Sequence, residues 1–301
     1  MLIRTAKTLL ILFVLLSPRF AQAQAMFSLF VGTREEIAER MINLAKLKKS
    51  DVVVDLGAGD GRLVIGSAKS NPGVTGFGVD LNPKLVQEAN ACAFVEGVGS
   101  QVTFLQKNVF DTDLSKVDVI YMWLFPELQR LLRPKILAEA KPGTRVVTQM
   151  FDMSAWQADA VDTEQASVRL WVVPANIAGN WNWELKLPGM KKNTYTAIIE
   201  QVFQNADAAV RVGNTRRAVR EFKVNGNQLT FTLNMPLPGS EGSQEHEFIG
   251  TAKGNVIEGR VRMHHPVKGD NEKYDVTEVP WRATRSTRTT YFNPTGLEPV
   301  R

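Results

Sequence analysis

A short glycine-rich loop follows a run of β-branched residues early in the chain. The stretch VVVDLGAGDGRLVI (52–65) carries Gly57, Gly59 and Gly61 immediately after that run. Glycines between a strand and a helix let the backbone approach a ligand closely at the carboxyl end of a sheet. The motif therefore predicts a ligand-binding turn in an α/β fold.

Two carboxylates at this turn indicate the charge of its ligand. Asp55 precedes the glycines and Asp60 lies among them, and the third glycine comes one position too early for the dinucleotide pattern G-x-G-x-x-G. Negative charge here opposes a pyrophosphate and suits a ligand with an ammonium and a sulfonium centre. A nicotinamide-linked reductase is disfavoured, also because no recognisable Tyr-x-x-x-Lys pair follows the sheet.

Polar residues at two further strand ends extend the same predicted site. Asp80 ends the segment GFGVDL, 21 residues after Gly59, where an acid can accept hydrogen bonds from both ribose hydroxyls. That contact serves NAD and S-adenosylmethionine equally. Asn108, in QKNVFD after the third strand, is the candidate for contacting the exocyclic amine of adenine.

Strand and helix patterns alternate from about residue 27 to residue 174. The predicted strands are DVVVDLG, GFGVDL, VTFLQ, VDVIYMWL and TRVVTQM, with helical segments before and between them. Thr33 and Glu36 form a capping-box pattern, and Asn82 with Pro83 starts another helix. Pro134 is expected to break or kink PELQRLLRPKILAEA. The alternation predicts a parallel, doubly wound sheet.

The second half of the chain has a different pattern of apolar and turn residues. After residue 178, short alternating segments are separated by turn residues, and Asn225-Gly226 and AKGNV indicate hairpins. This pattern predicts a smaller all-β domain, a sandwich or a barrel. Trp181 and Trp183 share one strand face, for which core packing is the default interpretation and a ligand-binding face the alternative.

The first half resembles a class I S-adenosylmethionine-dependent methyltransferase. The resemblance rests on VVVDLGAGDGRLVI, GFGVDLNP, QKNVFD and VDVIYMWLFPELQRLLRPKI in this order, and it covers roughly Thr33 to Pro174. More narrowly, FPELQRLLRPKILAEAKPGTRVVTQMFDM is similar to bacterial relatives of the small protein-lysine methyltransferases that modify mitochondrial membrane proteins, such as the ATP synthase c subunit. The implied fold is a doubly wound Rossmann-like methyltransferase sheet followed by an extra β domain.

The resemblance implies S-adenosylmethionine as cofactor and assigns roles to the residues of the motifs. Asp55 would lie near the methionine amino group, Asp80 would hold the ribose, and Asn108 with Val109 would contact the adenine. The implied cofactor-binding set is Asp55, Gly57, Ala58, Gly59, Asp60, Asp80, Leu81, Asn108 and Val109.

The end of the fourth strand, MWLFPE, would face the transferred methyl group. The predicted catalytic residues are Trp123, Pro126 and Glu127. Trp123 and Phe125 are expected to build an aromatic pocket, where desolvation lowers the pKa of a lysine amine. Glu127 has two interpretations, proton transfer or substrate orientation on one side and ordinary helix capping on the other. Phe125 replaces a leucine common in the relatives, which leaves substrate specificity open. Tyr121, within the strand, is expected to be core.

The N-terminus is interpreted as a secretory signal peptide over residues 1–25. A basic start with Arg4 and Lys7 precedes an apolar run at 9–16 and the small-residue end AQAQA, with cleavage after Ala23 or Ala25. An uncleaved anchor and a true start at Met26 are the alternatives. Removing residues 1–23 lowers the formal charge from +5 to +2, so the basic balance says little about nucleic acid.

These observations together predict four segments: 1–25 as signal peptide, 26–178 as methyltransferase domain, 179–290 as β domain and 291–301 as flexible tail. The predicted function is an exported, periplasmic methyltransferase that acts on an amine acceptor, with a protein lysine as the candidate. The alternative is a non-catalytic envelope binding protein built on the same scaffold. No nucleic acid, no metal and no stable membrane span after cleavage are expected.

Several other groups receive ordinary structural interpretations. Cys92, the single cysteine, is expected to be a buried inert thiol. His264 and His265 are expected to be exposed loop residues rather than metal ligands. The segment EHE (245–247) is expected to be a solvated strand edge, and the basic segment 215–223 a solvated strand face.

Overall fold

The computed structural model describes residues 32–164, 167–188, 191–236, 243–267 and 270–288. The predicted signal peptide and the predicted tail at 291–301 lie outside these residues. All of the described residues belong to one compact unit. None of the helices among them is both long and apolar enough to cross a membrane.

The first part of this unit alternates helices and strands. Its helices are α1 (Glu35–Leu44), α2 (Arg62–Ser70), α3 (Pro83–Val95) and α4 (Pro126–Glu139). Its strands are β1 (Val52–Leu56), β2 (Thr75–Asp80), β3 (Val102–Gln106), β4 (Val119–Met122), β5 (Arg145–Gln149), β6 (Ala160–Val161) and β7 (Val168–Val172). The predicted α/β class is confirmed.

These seven strands form one sheet in the order β3-β2-β1-β4-β5-β7-β6. The pairs among β1 to β5 are parallel, as the sequence predicts. β7 pairs antiparallel with β5, and β6 pairs antiparallel with β7, so the sheet is mixed rather than wholly parallel. Neither β6 nor β7 is among the predicted strands, and β6 has only two residues, too few to carry a periodic pattern.

The buried strands explain why this sheet holds together. β1 and β4 expose almost none of their side chains, since helices cover both faces of a parallel sheet. Tyr121 is completely buried in β4, and its hydroxyl lies 3.0 Å from the Ser67 Oγ atom. Its interpretation as a core residue is therefore confirmed.

The helix boundaries correct two predictions and confirm a third. α1 begins at Glu35 without a side-chain cap, so the capping box is wrong; Thr33 is buried and its carbonyl accepts a hydrogen bond from the Arg62 side chain. Asn82 does cap α3, where its Oδ1 accepts from the Lys84 amide at 3.0 Å. α4 runs through Pro134 without interruption. Buried residues on both sides of this proline pack the helix onto the sheet, which outweighs one missing hydrogen bond.

The second part of the unit is an all-β barrel. Its strands are β8 (Gly179–Leu185), β9 (Asn193–Val202), β10 (Asn205–Val212), β11 (Thr215–Arg217), β12 (Val219–Asn225), β13 (Gln228–Pro236), β14 (Ser243–Lys253), β15 (Val256–Val267) and β16 (Asp270–Thr287). They follow the order β11-β10-β12-β13-β14-β15-β16-β8-β9, and β9 also pairs with β10. This last pairing closes the eight strands other than β11 into an antiparallel barrel. Of the two predicted architectures, sandwich and barrel, the structure is therefore a barrel.

Aromatic side chains fill the barrel. Trp181 and Trp183 are 1% and 5% exposed, and the Trp183 ring stacks on Tyr195 with centroids 5.1 Å apart. The cavity that both tryptophans line has a volume of about 10 Å³, room for one water molecule. Core packing, the default interpretation of the two tryptophans, is therefore confirmed.

The hairpin prediction holds, with a shifted turn. Asn225 pairs with Gln228, so the two turn residues are Gly226 and Asn227, and Gly226 takes the positive φ of +56°. The AKGNV hairpin is also present, since Lys253 pairs with Val256. Both turns are two residues long, as tight antiparallel hairpins require.

Two predictions about individual side chains and segments are wrong, and a third is correct only in part. Cys92 is exposed on α3, because Ala89 and Ala93 form the buried face of that helix. The segment 245–247 is not a sheet edge: β14 pairs on both sides, and His246 is buried inside the barrel. His264 is exposed as predicted but lies in β15, not in a loop. The basic residues of 215–223 do lie on a largely exposed face.

Two barrel hairpins contact the methyltransferase sheet. Phe203, in the turn between β9 and β10, is buried with Trp156 and Trp171, and its ring stacks on Trp156 at 5.8 Å. At the second hairpin, the Gly226 carbonyl accepts from the Ala175 amide in the segment between β7 and β8 at 2.7 Å, and a Cβ atom on Gly226 would lie 3.7 Å from the Val172 Cγ1 atom of β7. The predicted boundary at 178/179 coincides with the start of β8, and independent folding of the two parts stays a prediction.

Candidate cofactor and methyl-transfer site

The glycine loop between β1 and α2 has the backbone geometry that its sequence predicts. Gly57, Gly59 and Gly61 have φ values of +96°, +53° and +82°, in the region that favours glycine. The amides of Gly57 and Ala58 both donate to the Val79 carbonyl at 2.9 Å. A Cβ atom on Gly57 would lie 2.8 Å from the Leu124 Cδ2 atom. Glycine is therefore required here by conformation and by the close approach of Leu124.

Asp80 ties this loop to the end of β2. One carboxylate oxygen accepts from the Gly59 amide at 3.0 Å, and the other accepts from the Asn82 amide at 2.9 Å. Each oxygen of a carboxylate has two lone pairs, so both can accept a further hydrogen bond. Asp80 thus combines a structural contact with the capacity to bind a diol.

Asp55 is the one acid of the site's three, with Asp60 and Asp80, that is buried without a hydrogen-bond donor among the described residues. It is 4% exposed on β1, between Gly78 of β2 and Tyr121 of β4, and no described residue donates a hydrogen bond to it. Burial, followed by repulsion from Asp80 and Asp60, raises the pKa of Asp55 to about 8. A cationic group bound next to Asp55 would offset this repulsion, which fits the ammonium of an amino-acid ligand.

Asp60 has a different environment from Asp55. Burial alone would raise the pKa of Asp60, but hydrogen bonds and positive charge from Arg62 outweigh it and hold that pKa below its usual value. The two side chains form an ion pair. The expectation that both acids offer free negative charge is therefore corrected: Arg62 balances the charge of Asp60, and the raised pKa of Asp55 leaves its carboxyl group mostly protonated at pH 7 until a cation binds beside it.

The strand register brings the other predicted cofactor residues to one edge of the sheet. Asp80 lies opposite Gln106, and parallel strands end together at the carboxyl edge. Leu81 follows β2, and its carbonyl accepts from the Gln106 side chain at 3.3 Å. Asn108 follows β3 and is exposed; its Oδ1 accepts from the Phe110 amide at 3.0 Å and caps a single 3₁₀ turn. Val109, half-buried, packs against the hydrophobic core that includes Leu56 and Val79.

The residues predicted to face the methyl group follow β4. Leu56 at the end of β1 lies opposite Met122, so Trp123 comes directly after this edge. Trp123 is half-buried, whereas Phe125 is 44% exposed. Pro126 is the first residue of α4. Since Leu124 packs over Gly57, this segment adjoins the glycine loop.

Glu127 lies at the solvent side of the first turn of α4. Its carboxylate is 3.4 Å from the Arg130 guanidinium, and both side chains are largely exposed. Phe125 is the residue before the helix, and it makes no side-chain cap. Among the described residues the Glu127 carboxylate pairs with Arg130 and accepts no hydrogen bond from a backbone amide of α4, so the structure does not support helix capping by this side chain.

One residue of this site carries no signal in the sequence. Gln129 is fully buried, and its Nε2 donates to the Leu124 carbonyl at 3.1 Å. A glutamine in an amphipathic helix is ordinarily a surface residue, so spacing alone would not single it out. Its role depends on a contact five residues back in the chain.

No metal centre is found in the part of the chain that the structure describes. No group of three or more His, Cys, Asp or Glu side chains there is arranged to hold an ion.

Sheet order, glycine loop and an acid at the end of β2 together define the class: this is an S-adenosylmethionine-dependent methyltransferase fold. A family model described as the ANTKMT methyltransferase domain matches residues 55–160. The chain is also 37% identical over 127 residues to a protein-lysine N-methyltransferase of Saccharolobus islandicus, covering 42% of this chain and 79% of that protein. The chain belongs to this methyltransferase family, and it is an S-adenosylmethionine-dependent N-methyltransferase.

Two further relatives have named protein substrates. The adenine nucleotide translocase lysine N-methyltransferase of Mus musculus is 29% identical over 167 residues, which are 55% of this chain and 72% of that protein. A Homo sapiens lysine N-methyltransferase named for the c subunit of ATP synthase is 29% identical over 135 residues, 45% of this chain and 57% of that protein. The family match ends at residue 160, before the barrel begins.

Among solved structures, an RNA methyltransferase from Salinibacter ruber in complex with S-adenosyl-L-homocysteine is similar to this chain. The two are 38% identical, the match covers 49% of this chain and 96% of that one, and the TM-score is 0.47.

Proposed function

We propose that the protein transfers a methyl group from S-adenosylmethionine to the side-chain amine of a lysine in a protein acceptor. The observation that carries the proposal is the family membership, in which the named relatives are protein-lysine N-methyltransferases. The electrostatics of the site agree with a cationic cofactor, because Asp55 is a buried carboxyl group without a hydrogen-bond donor among the described residues.

The residues of the site fit this cofactor from one end to the other. Asp55 would hold the ammonium, the amides around Gly57 and Gly59 would line the methionine portion, and Asp80 would bind the ribose hydroxyls. Asn108 would contact the adenine edge. The cofactor supplies the electrophilic methyl group on its sulfonium, and the protein orients the acceptor and excludes water.

The acceptor amine must arrive without its proton. Trp123 and Phe125 would form the apolar wall of the acceptor channel, where loss of hydration lowers the pKa of a lysine amine. The aromatic face of Trp123 also suits cation–π contact with a methylated ammonium. Pro126 would fix the backbone direction after this wall. Glu127, which is exposed and paired with Arg130, would contribute only long-range attraction for a basic acceptor.

We further propose that residues 1–25 act as a signal peptide and that the protein works in the periplasm, with an uncleaved anchor as the alternative. This proposal is supported by the basic start, the apolar run and the AQAQA end of the sequence. A reporter fused after Ala25 tests it. Reporter activity outside the cytosol is the expected result, and a reporter that stays in the cytosol would show that the export proposal is wrong.

The function is tested by titration calorimetry of the purified protein with S-adenosylmethionine, S-adenosylhomocysteine and NAD. We expect binding of both adenosyl ligands and none of NAD. Incubation with labelled S-adenosylmethionine and poly-L-lysine, followed by acid hydrolysis, should then yield methyl-lysine. Binding without any methyl transfer to lysine polymers or to proteins of the cell envelope would instead favour the non-catalytic scaffold.

A further inference from the structure

Gln129 is a buried polar residue that no part of the cofactor site uses directly. Its side-chain Nε2 donates to the Leu124 carbonyl at 3.1 Å, and its backbone amide donates to the Phe125 carbonyl at 3.1 Å. These two hydrogen bonds tie the first turn of α4 to the segment that leaves β4. The other end of the side chain, Oε1, is buried without a hydrogen-bond partner among the described residues.

Replacing the Gln129 side chain by an apolar one of similar volume should change the stability of the protein little. It satisfies one buried acceptor, the Leu124 carbonyl, and leaves another, its own Oε1, unsatisfied. A methionine of similar volume would remove the unsatisfied Oε1 and leave the carbonyl unsatisfied instead. Because the desolvation costs of two such groups are similar, the exchange should change the free energy of unfolding little. The exchange does remove the hydrogen bond from the Gln129 side chain to the Leu124 carbonyl.

Leu124 connects the Gln129 hydrogen bond to the cofactor loop and to Trp123. Its Cδ2 atom packs so close to Gly57 that a Cβ there would lie 2.8 Å away, and Trp123 is its immediate neighbour in the chain. Trp123 is half-buried, and its side chain makes no hydrogen bond to any residue in the described part of the chain, so no polar contact of its own fixes its direction. Farther along α4, Arg133 donates to the Met153 carbonyl at 2.6 Å and anchors the helix itself.

We propose that Gln129 is a positioning residue for methyl transfer: by holding the Leu124 carbonyl it fixes the turn after β4 and so orients Trp123 toward the acceptor amine. The inference rests on the proposed function for the reaction that it serves. Misplacement of a reacting group by about 1 Å costs on the order of 100-fold in rate, so one hydrogen bond to this turn is enough to matter.

The direct test is the fluorine NMR spectrum of the full-length protein labelled with 5-fluorotryptophan. The chain has six tryptophans, and Trp123→Phe identifies the resonance of residue 123. We expect the Trp123 resonance to broaden or split in Gln129→Met while the other five resonances keep their positions. An unchanged Trp123 resonance in this variant overturns the proposal.

A second variant protects the test against simple misfolding. Gln129→Glu can donate to the Leu124 carbonyl only when its carboxyl group is protonated, and burial favours that form. The Trp123 resonance should therefore match that of wild-type protein at pH 5 and be broader than that of wild-type protein at pH 9, each compared at the same pH because Asp55 also titrates in this range. A pH-independent Trp123 signal in Gln129→Glu counts against the proposal even if Gln129→Met fails to fold.

The matched control is Gln149→Met. Gln149 is also a buried glutamine with an unpartnered Oε1, but no hydrogen bond joins it to Leu124. We expect its variant to leave the Trp123 resonance unchanged. If Gln149→Met disturbs that resonance as much as Gln129→Met, the effect is general to buried glutamines near the sheet and the specific role of Gln129 is wrong.

Kinetics with poly-L-lysine separate this proposal from the proposed function. Gln129→Met should lower kcat by about 10- to 100-fold, with cofactor affinity within about threefold of wild type. Unchanged kcat in this variant contradicts the positioning role. If wild-type protein methylates no acceptor while the Trp123 signal still depends on Gln129, the proposed function fails. The inference that Gln129 fixes the turn after β4 then still stands.

Discussion

The Gly59 amide donates a hydrogen bond of 3.0 Å to the carboxylate of Asp80, 21 residues later in the chain. This contact joins the glycine loop to the end of the neighbouring strand, and the second oxygen of Asp80 holds the Asn82 amide. The residue that would bind the ribose is thus also the residue that shapes the loop around the methionine portion. Both halves of the cofactor site depend on one carboxylate.

Replacing Asp80 should therefore damage cofactor binding twice. Asp80→Ala removes the acceptors for Gly59 and Asn82 as well as the ribose contacts, and we expect S-adenosylhomocysteine affinity to fall at least about 100-fold, or about 3 kcal/mol. Asp80→Asn keeps one acceptor oxygen and should bind with intermediate affinity. Titration calorimetry checks both, with the exposed barrel variant Asp207→Asn as control. Equal affinities of Asp80→Ala and wild type would contradict the assignment.

Cofactor binding should release a proton from Asp55. The pKa of about 8 in the free protein means that Asp55 is mostly protonated at pH 7, and a bound ammonium favours the ionised form. Calorimetric binding enthalpies at pH 7 should then differ between phosphate and Tris buffers by most of the difference in their ionisation enthalpies for one proton. The difference should vanish above pH 9 and in Asp55→Asn. Identical enthalpies in both buffers at pH 7 would show that Asp55 does not carry this proton.

Asp55 should also make the free protein less stable at alkaline pH. Its folded-state pKa of about 8 lies above the ordinary value of 3.8, so the folded state holds the proton more tightly and stability falls as pH rises from about 4 to about 8. Asp55→Asn removes this dependence and should be more stable than wild type at pH 8 by at least about 1 kcal/mol. Urea unfolding at pH 5 and pH 8 measures it. A variant less stable than wild type at pH 8 would contradict the interpretation.

Trp123 should affect methyl transfer more than cofactor binding. Trp123→Leu keeps an apolar side chain but removes the aromatic face, and we expect kcat with poly-L-lysine to fall at least about 10-fold, with cofactor affinity within about threefold of wild type. Glu127→Gln, one turn away and exposed, should change kcat less than about threefold. A larger loss in Glu127→Gln than in Trp123→Leu would transfer the principal role to the carboxylate.

The barrel should be energetically coupled to the methyltransferase sheet through Phe203. This side chain is 1% exposed, stacks on Trp156 and lies 5.4 Å from the Arg133 guanidinium. Phe203→Ala should destabilise the protein by about 3–5 kcal/mol, as expected for a buried aromatic residue. Phe94→Ala, at a phenylalanine that is 82% exposed, is the control and should change stability by less than about 0.5 kcal/mol. Similar melting temperatures of the two variants would argue against coupling through this hairpin.

The elements of the methyltransferase sheet could be predicted well because their signals are local. A β-branched run that ends in glycine, an acid at the next strand end and Asn82 before Pro83 each depend on neighbours in the chain, and the structure contains all three as expected. The predictions that failed depended on tertiary surroundings. Pro134 was expected to break or kink its helix, yet packing continues the helix through it, and Cys92 points outward because alanines form the buried face of α3.

The electrostatic asymmetry of the two acids could not be predicted. Asp55 and Asp60 are equivalent in the motif, yet Asp60 pairs with Arg62 while Asp55 is buried beside Asp80 and Tyr121. The pKa of a carboxyl group depends on burial and on charges brought near by the fold, and neither quantity is a property of local spacing.

The sequence by itself determined the cofactor class, the alternation of strands and helices in the first half and the β character of the second half, since periodicity and glycine spacing encode these directly. Only the tertiary structure decided that β9 and β10 close the barrel, that Phe203 joins the barrel to the sheet, and that Gln129 holds the turn after β4. Strand closure and side-chain contacts between distant elements depend on three-dimensional register, which a linear pattern does not contain.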